Sequence, residues 1–119
     1  MLLILADDSS VMRRIVLRTL RQAGLANLEV LEAPDGAVLV DLVLANNPDL
    51  VLSDWNMPLM TGLEALKAIR ARGSQVPFGF VTSEGSDEMR EQATNAGASF
   101  LLVKPFTADG MRDVLSAYV

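Results

Sequence analysis

The chain has 119 residues, half of them apolar, with 15 acidic against 10 basic side chains, a net charge of −5, and neither cysteine nor histidine. A single domain of that size can bury a real core, hiding roughly two-thirds of its unfolded surface. The acidic balance argues against direct nucleic-acid binding, which needs a basic stripe, and the missing Cys and His exclude disulfides, thiol chemistry, histidine metal ligation and a phosphohistidine on this chain.

The first predicted element is the apolar run Leu2 to Ala6. No basic leader with a cleavage site precedes it, and no apolar run approaches the ~20 residues of a membrane span, so a cytoplasmic protein with no membrane insertion is expected. The run ends in an acid pair, Asp7-Asp8. Ser9 or Ser10 then caps a helix reaching about Ala23, stopped at Gly24. Its arginines, Arg13, Arg14, Arg18 and Arg21, read as a solvated face. A second strand is expected over Glu29 to Ala33. It leads to a helix from about Gly36 to Asn46, which Pro48 prevents from continuing. That helix is apolar almost all round. If Ala37, Val40 and Leu44 face the sheet, Val38 and Leu42 lie under a neighbouring helix or form a patch for a partner or a second copy.

The third strand, Leu50 to Asp54, opens into the turn Trp55-Asn56-Met57-Pro58. A helix over about Gly62 to Arg72 follows, stopped at Gly73. A fourth strand covers Phe78 to Thr82, and a helix starting at Ser86 carries Asp87 and Glu88 in its first turn, where acids complement the helix dipole. The fifth strand, Phe100 to Val103, runs into Lys104-Pro105, and Thr107 caps a helix that reaches the C-terminus. The strands at 2, 50 and 100 are nearly continuous apolar, the pattern of parallel strands buried on both faces.

Strands alternating with helices imply an α/β fold, a doubly wound parallel sheet of five strands with right-handed crossovers and helices on both faces. Ligands of such sheets bind at the carboxyl ends of the strands, where the strand order reverses. Asp7-Asp8, Asp54, Thr82-Ser83 and Lys104 each fall at one of those ends. Taken singly they have plain structural readings: a helix cap, a turn acid, a β-branched strand end and a surface lysine. Together they place three carboxylates and one ammonium on one rim. Crowded carboxylates resist ionising without a cation, aspartates suit a hard ion such as Mg²⁺, and the lysine suits a phosphoryl group. Phosphoryl chemistry on an aspartate follows.

Asp7-Asp8, Asp54, Thr82 and Lys104-Pro105 resemble the signature of bacterial response-regulator receiver domains, and the resemblance covers residues 1–119. The stretches Asp-Asp-Ser-Ser-Val-Met-Arg-Arg-Ile-Val, Ser-Asp-Trp-Asn-Met-Pro, and Ala-Gly-Ala-Ser followed by Val-Lys-Pro-Phe are similar to those of chemotaxis members. The resemblance implies a flavodoxin-like strand order 2-1-3-4-5. It implies that Asp54 accepts a phosphoryl group from a partner histidine kinase or histidine phosphotransfer protein. Asp8 would bind Mg²⁺ directly, Asp7 largely through water, and the Asn56 backbone carbonyl would complete the protein's share beside Asp54. Thr82 and Lys104 would hold phosphoryl oxygens, with a cis Lys104–Pro105 peptide. Asn56 and Glu84 would modulate attack of water on the acyl phosphate, giving comparatively fast self-dephosphorylation.

One departure stands out. The family often has an aromatic residue three positions before the lysine as part of the switch with Thr82; here it is Leu101. The expected protein is a phosphorylation-driven binding switch that acts on a downstream partner and catalyses only its own phosphorylation and dephosphorylation. The chain ends with the fifth helix, so it is expected to stand alone, although an excised domain and phosphorylation-dependent dimerisation stay open. A phosphorelay intermediate and a degenerate scaffold receiver are the variants within the class. The rival is a Mg²⁺-dependent aspartyl-phosphate phosphohydrolase. Such enzymes carry Asp-x-Asp after the first strand, whereas here Asp7 and Asp8 are adjacent and Asp54 lies far downstream.

Overall fold

The computed structural model describes residues 1–25 and 27–118. Five strands alternate with five helices: β1 Leu2–Ala6, α1 Ser10–Gln22, β2 Glu29–Ala33, α2 Gly36–Asn46, β3 Leu50–Ser53, α3 Gly62–Ala71, β4 Phe78–Thr82, α4 Asp87–Asn95, β5 Phe100–Val103 and α5 Ala108–Leu115. All strand pairings are parallel, in the order β2-β1-β3-β4-β5, as expected for a flavodoxin-like sheet. Among the described residues no helix is long and apolar enough to cross a membrane.

The sheet divides the core in two by the alternation of strand side chains. Ile4, Ala6, Val51, Phe78 and Phe80 face α2, α3 and α4, while Leu3, Leu5, Leu50, Leu52 and Val81 face α1 and α5. β1, β3 and β4 are almost wholly buried, and burying each large side chain there is worth about 1.5–3 kcal/mol.

β5 departs from expectation, since all four of its residues are only half-buried. It is an edge strand, and polar α4 buries Ala93 alone, so its cover is thin. Helix starts follow the predicted caps, with Ser9, Ser86 and Thr107 each accepting a backbone N–H from the first turn. The fifth helix ends at Leu115, capped by Ser116, instead of running to the C-terminus; Val119 lies outside the described residues.

The phase of α2 also differs. Gly36, Leu39 and Val43 are its buried residues, and Leu44 is exposed. A helix apolar all round carries no phase in its hydropathy. Here the phase is set at the N-terminus, where Asp35 Oδ1 accepts the Val38 amide at 2.8 Å. Gly36 lies so close to Met60 that a Cβ there would overlap its carbonyl oxygen. Val38 and Leu42 are half-buried and pack on the same core cluster, leaving less of a patch than the sequence suggested.

Candidate functional site: an acidic cluster on the carboxyl rim

β1 and β3 are neighbours, but the chain leaves β1 towards β2 on one side and reaches β3 on the other. The crevice between them is therefore where the connections part. Asp7 follows β1 directly and is buried. Its amide extends the ladder to Ala33 O at 3.1 Å, and its Oδ1 accepts the Ser9 amide at 2.9 Å. Ser9 caps α1, with Oγ accepting the Met12 amide at 3.2 Å. The cap therefore falls to Ser9, and Asp8 stays exposed.

Asp54 lies one residue past the observed end of β3, where the sequence had placed it inside the strand. Its backbone is still held as if in the ladder: its amide donates to Ala6 O at 2.8 Å, and buried Ser53 donates from Oγ to Asp54 O at 2.8 Å. Its Oδ1 accepts the Trp55 amide at 2.8 Å. Trp55 is half-buried with its ring 4.7 Å from that of Phe80, so it walls the rim. The first residue of α3, Gly62, packs so tightly that any Cβ would overlap the Asp54 carbonyl oxygen.

Carboxylate oxygens of Asp7, Asp8 and Asp54 all lie within 4.8 Å of one another. Lys104 follows β5, and its Nζ reaches across to 3.6 Å from Asp7 Oδ2 and 3.8 Å from Asp54 Oδ1. The Lys104–Pro105 peptide is cis, and the Lys104 amide donates to Thr82 O at 2.7 Å. Thr82 ends β4, is fully buried, and its Oγ1 accepts the Glu84 amide at 3.2 Å. Asn56 and Glu84 are exposed on the adjoining loops, and Leu101 is half-buried against the core.

Burial pushes the Asp54 carboxyl above its ordinary value; the Lys104 ammonium and the Trp55 amide oppose this, while Asp7 and Asp8 reinforce it. Three acids held together with one partly offsetting ammonium leave surplus negative charge. The donor set is all oxygen, which fits a hard divalent cation such as Mg²⁺. Lys104 Nζ stands almost equally far from Asp7 and Asp54, and of the two carboxylates Asp54 is the more accessible, with 15% of its side chain exposed against 5% for Asp7.

Sequence reasoning missed three supporting residues. Arg13 is not merely solvated, since it binds Glu32 and the Asp7 carbonyl; Ser53 and Gly62 hold the Asp54 backbone. Glu32, a charged residue inside β2 between Leu31 and Ala33, was the available signal for the first of these.

The response regulator receiver domain family model matches residues 3–116. The chain is 38% identical over 115 residues to the chemotaxis protein CheY of Pseudomonas aeruginosa, covering 95% of this chain and 91% of that one. It is also 38% identical over 117 residues to CheY-3 of Vibrio cholerae, covering 97% and 88%. The solved structure of Vibrio cholerae CheY4 superposes with a TM-score of 0.87 at 32% identity, covering 99% of this chain and 98% of that one. The chain therefore belongs to the response regulator receiver domains and is similar to the CheY proteins among them.

Proposed function

We propose that the protein is a two-component signalling switch in which Asp54 accepts a phosphoryl group from a phosphohistidine on a partner kinase or histidine phosphotransfer protein. The observation that carries this reading is the meeting of three carboxylates within 4.8 Å with an ammonium 3.8 Å from Asp54, built from separate strand exits. Mg²⁺ would be held by Asp7, Asp8, Asp54 and the Asn56 carbonyl. When bound, it supplies charge that offsets the phosphoryl and carboxylate oxygens brought together.

An Asp54 carboxylate oxygen attacks the donor phosphorus in line. The P–N bond breaks, its electrons stay with the imidazole, and an acyl phosphate forms. Lys104 and Thr82 take the equatorial oxygens, the first as a point charge and the second as a directional donor. Asn56 and Glu84 flank the path of the water that later attacks the phosphorus and releases inorganic phosphate. The turning of Thr82 towards the phosphoryl group, with Leu101 in place of an aromatic partner, alters the surface offered to a downstream protein.

Incubation with acetyl phosphate and Mg²⁺, read by intact mass, tests this. One added phosphoryl group, dependent on Mg²⁺ and absent in Asp54→Ala, is expected. No adduct, and no capture of beryllofluoride, would leave a receiver fold used as a scaffold.

A further inference from the structure

We propose that Arg13, oriented by Glu32, is a positioning residue that sets the cation affinity of the Asp7-Asp8 pair; this rests on reading Asp7, Asp8 and Asp54 as the metal site. Helical side chains lean towards the helix N-terminus, so Arg13 reaches back from α1 over the loop that follows β1. Its Nη1 donates to Asp7 O at 2.6 Å and its Nε to Glu32 Oε1 at 2.9 Å. The Arg13 side chain is only 17% exposed, and that of Glu32 45%. One planar fork thereby joins α1, the acid-bearing loop and β2.

The peptide held by Arg13 is the one joining Asp7 to Asp8, and the preceding peptide is held through the Asp7 amide on Ala33 O. A planar peptide fixed on its oxygen fixes where the next Cα–Cβ bond starts. This matters for Asp8, whose exposed carboxylate has no hydrogen-bond partner among the described residues. Asp7 has the Ser9 amide and Lys104 to aim it; Asp8 has only its backbone.

Charge and position make opposite predictions. A guanidinium beside a cation site repels the cation, so by Coulomb's law alone its removal tightens Mg²⁺ binding. If Arg13 acts by holding the loop, its removal weakens binding, and residues that orient metal ligands typically carry about 10–100-fold in affinity.

The test titrates Mg²⁺ alone into the full chain and follows backbone amide NMR signals, which report affinity for folded molecules only. Arg13→Gln is expected to weaken Mg²⁺ binding at least about tenfold. Arg13→Lys, with the charge but not the fork, is also weakened. Glu32→Gln, which keeps an acceptor for Nε, stays near wild type, and Glu32→Ala is weakened. Arg13→Gln is also expected to need correspondingly more Mg²⁺ for half-maximal phosphoryl uptake from acetyl phosphate. Loss of stability alone lowers the melting temperature without moving the dissociation constant. Unchanged or tighter binding in Arg13→Gln, with wild type binding normally, overturns the positioning role and leaves the site reading intact. Absence of Mg²⁺ binding in wild type overturns both. Should Arg13→Gln fail to fold, the Glu32→Ala and Glu32→Gln pair decides the matter by the same criterion.

Discussion

Lys104 Nζ stands 3.8 Å from Asp54 Oδ1, near enough to stabilise its charge and too far for a direct hydrogen bond. That spacing leaves the ammonium free to meet an oxygen bonded to Asp54. Of the neighbours of Asp54, Lys104 does most to lower its pKa, so Lys104→Met raises the pKa further. Losing a positive charge beside the acids leaves Mg²⁺ affinity equal or tighter. Phosphoryl uptake from acetyl phosphate at saturating Mg²⁺ slows by about 10²-fold or more, the scale for removing one donor to developing charge. Mg²⁺ titration and intact-mass time courses on the same variant separate the two effects.

Without a cation, Asp54 costs the fold stability at neutral pH. Its folded pKa is raised from the ordinary 3.8, so the unfolded chain releases this proton more easily than the folded one. The contribution of Asp54 is fully present below the unfolded value and is lost as pH rises through the raised folded value. Asp54→Asn escapes that loss. In metal-free buffer at pH 7 its melting temperature is expected to rise above that of the wild type. The gain shrinks as pH falls towards 4 and is offset by Mg²⁺, which binds the wild type more tightly than a variant lacking one carboxylate and stabilises it by about 2.7 kcal/mol at a hundred times its dissociation constant. Thermal melts across pH, with and without Mg²⁺, check the sign.

The strands and the rim were legible because parallel strands buried on both faces leave uninterrupted apolar runs. A polar residue ending such a run is conspicuous, as Asp7, Asp54 and Lys104 are. What stayed hidden is lateral. The phase of α2 is set by Asp35 and by Gly36 against Met60, and neither leaves a hydropathy pattern. β5 reads as a strand buried on both faces because its sequence is apolar, yet its cover depends on α4, which supplies only Ala93. The Arg13–Glu32 pair spans 19 residues, beyond any local periodicity.

Gly62 is a site residue in disguise. As the first residue of α3 it gains from substitution on helix propensity, since Ala exceeds Gly by up to about 1 kcal/mol in a helix interior. Overlap with the Asp54 carbonyl decides against that, because the obstructing atom is backbone and cannot rotate away. Phe80 Cε1 and Ser53 Oγ crowd the same point at 3.0 and 3.1 Å. Gly62→Ala is therefore expected to destabilise by about 1–3 kcal/mol in urea titrations. It should also slow phosphorylation at saturating Mg²⁺, because the carbonyl that must move belongs to the acceptor itself.

Thr82 offers the most direct test of the proposed switching. In the unphosphorylated protein its Oγ1 accepts the Glu84 amide at 3.2 Å, which pins the loop leading to α4. A hydroxyl turned to donate to a phosphoryl oxygen on Asp54 gives up that acceptor geometry, and the loop is released. Thr82→Val keeps the shape without the oxygen, so its Glu84 amide begins unpaired. Hydrogen exchange at Glu84 is expected to quicken about 3–10-fold in wild type on adding beryllofluoride and Mg²⁺, matching one hydrogen bond of about 0.5–1.5 kcal/mol. In Thr82→Val it should be fast from the start and insensitive to the ligand. Equal protection at Glu84 in both proteins, with and without beryllofluoride, would place the switch elsewhere. The first alternative is α4, whose single buried residue, Ala93, leaves it the most weakly docked helix of the fold.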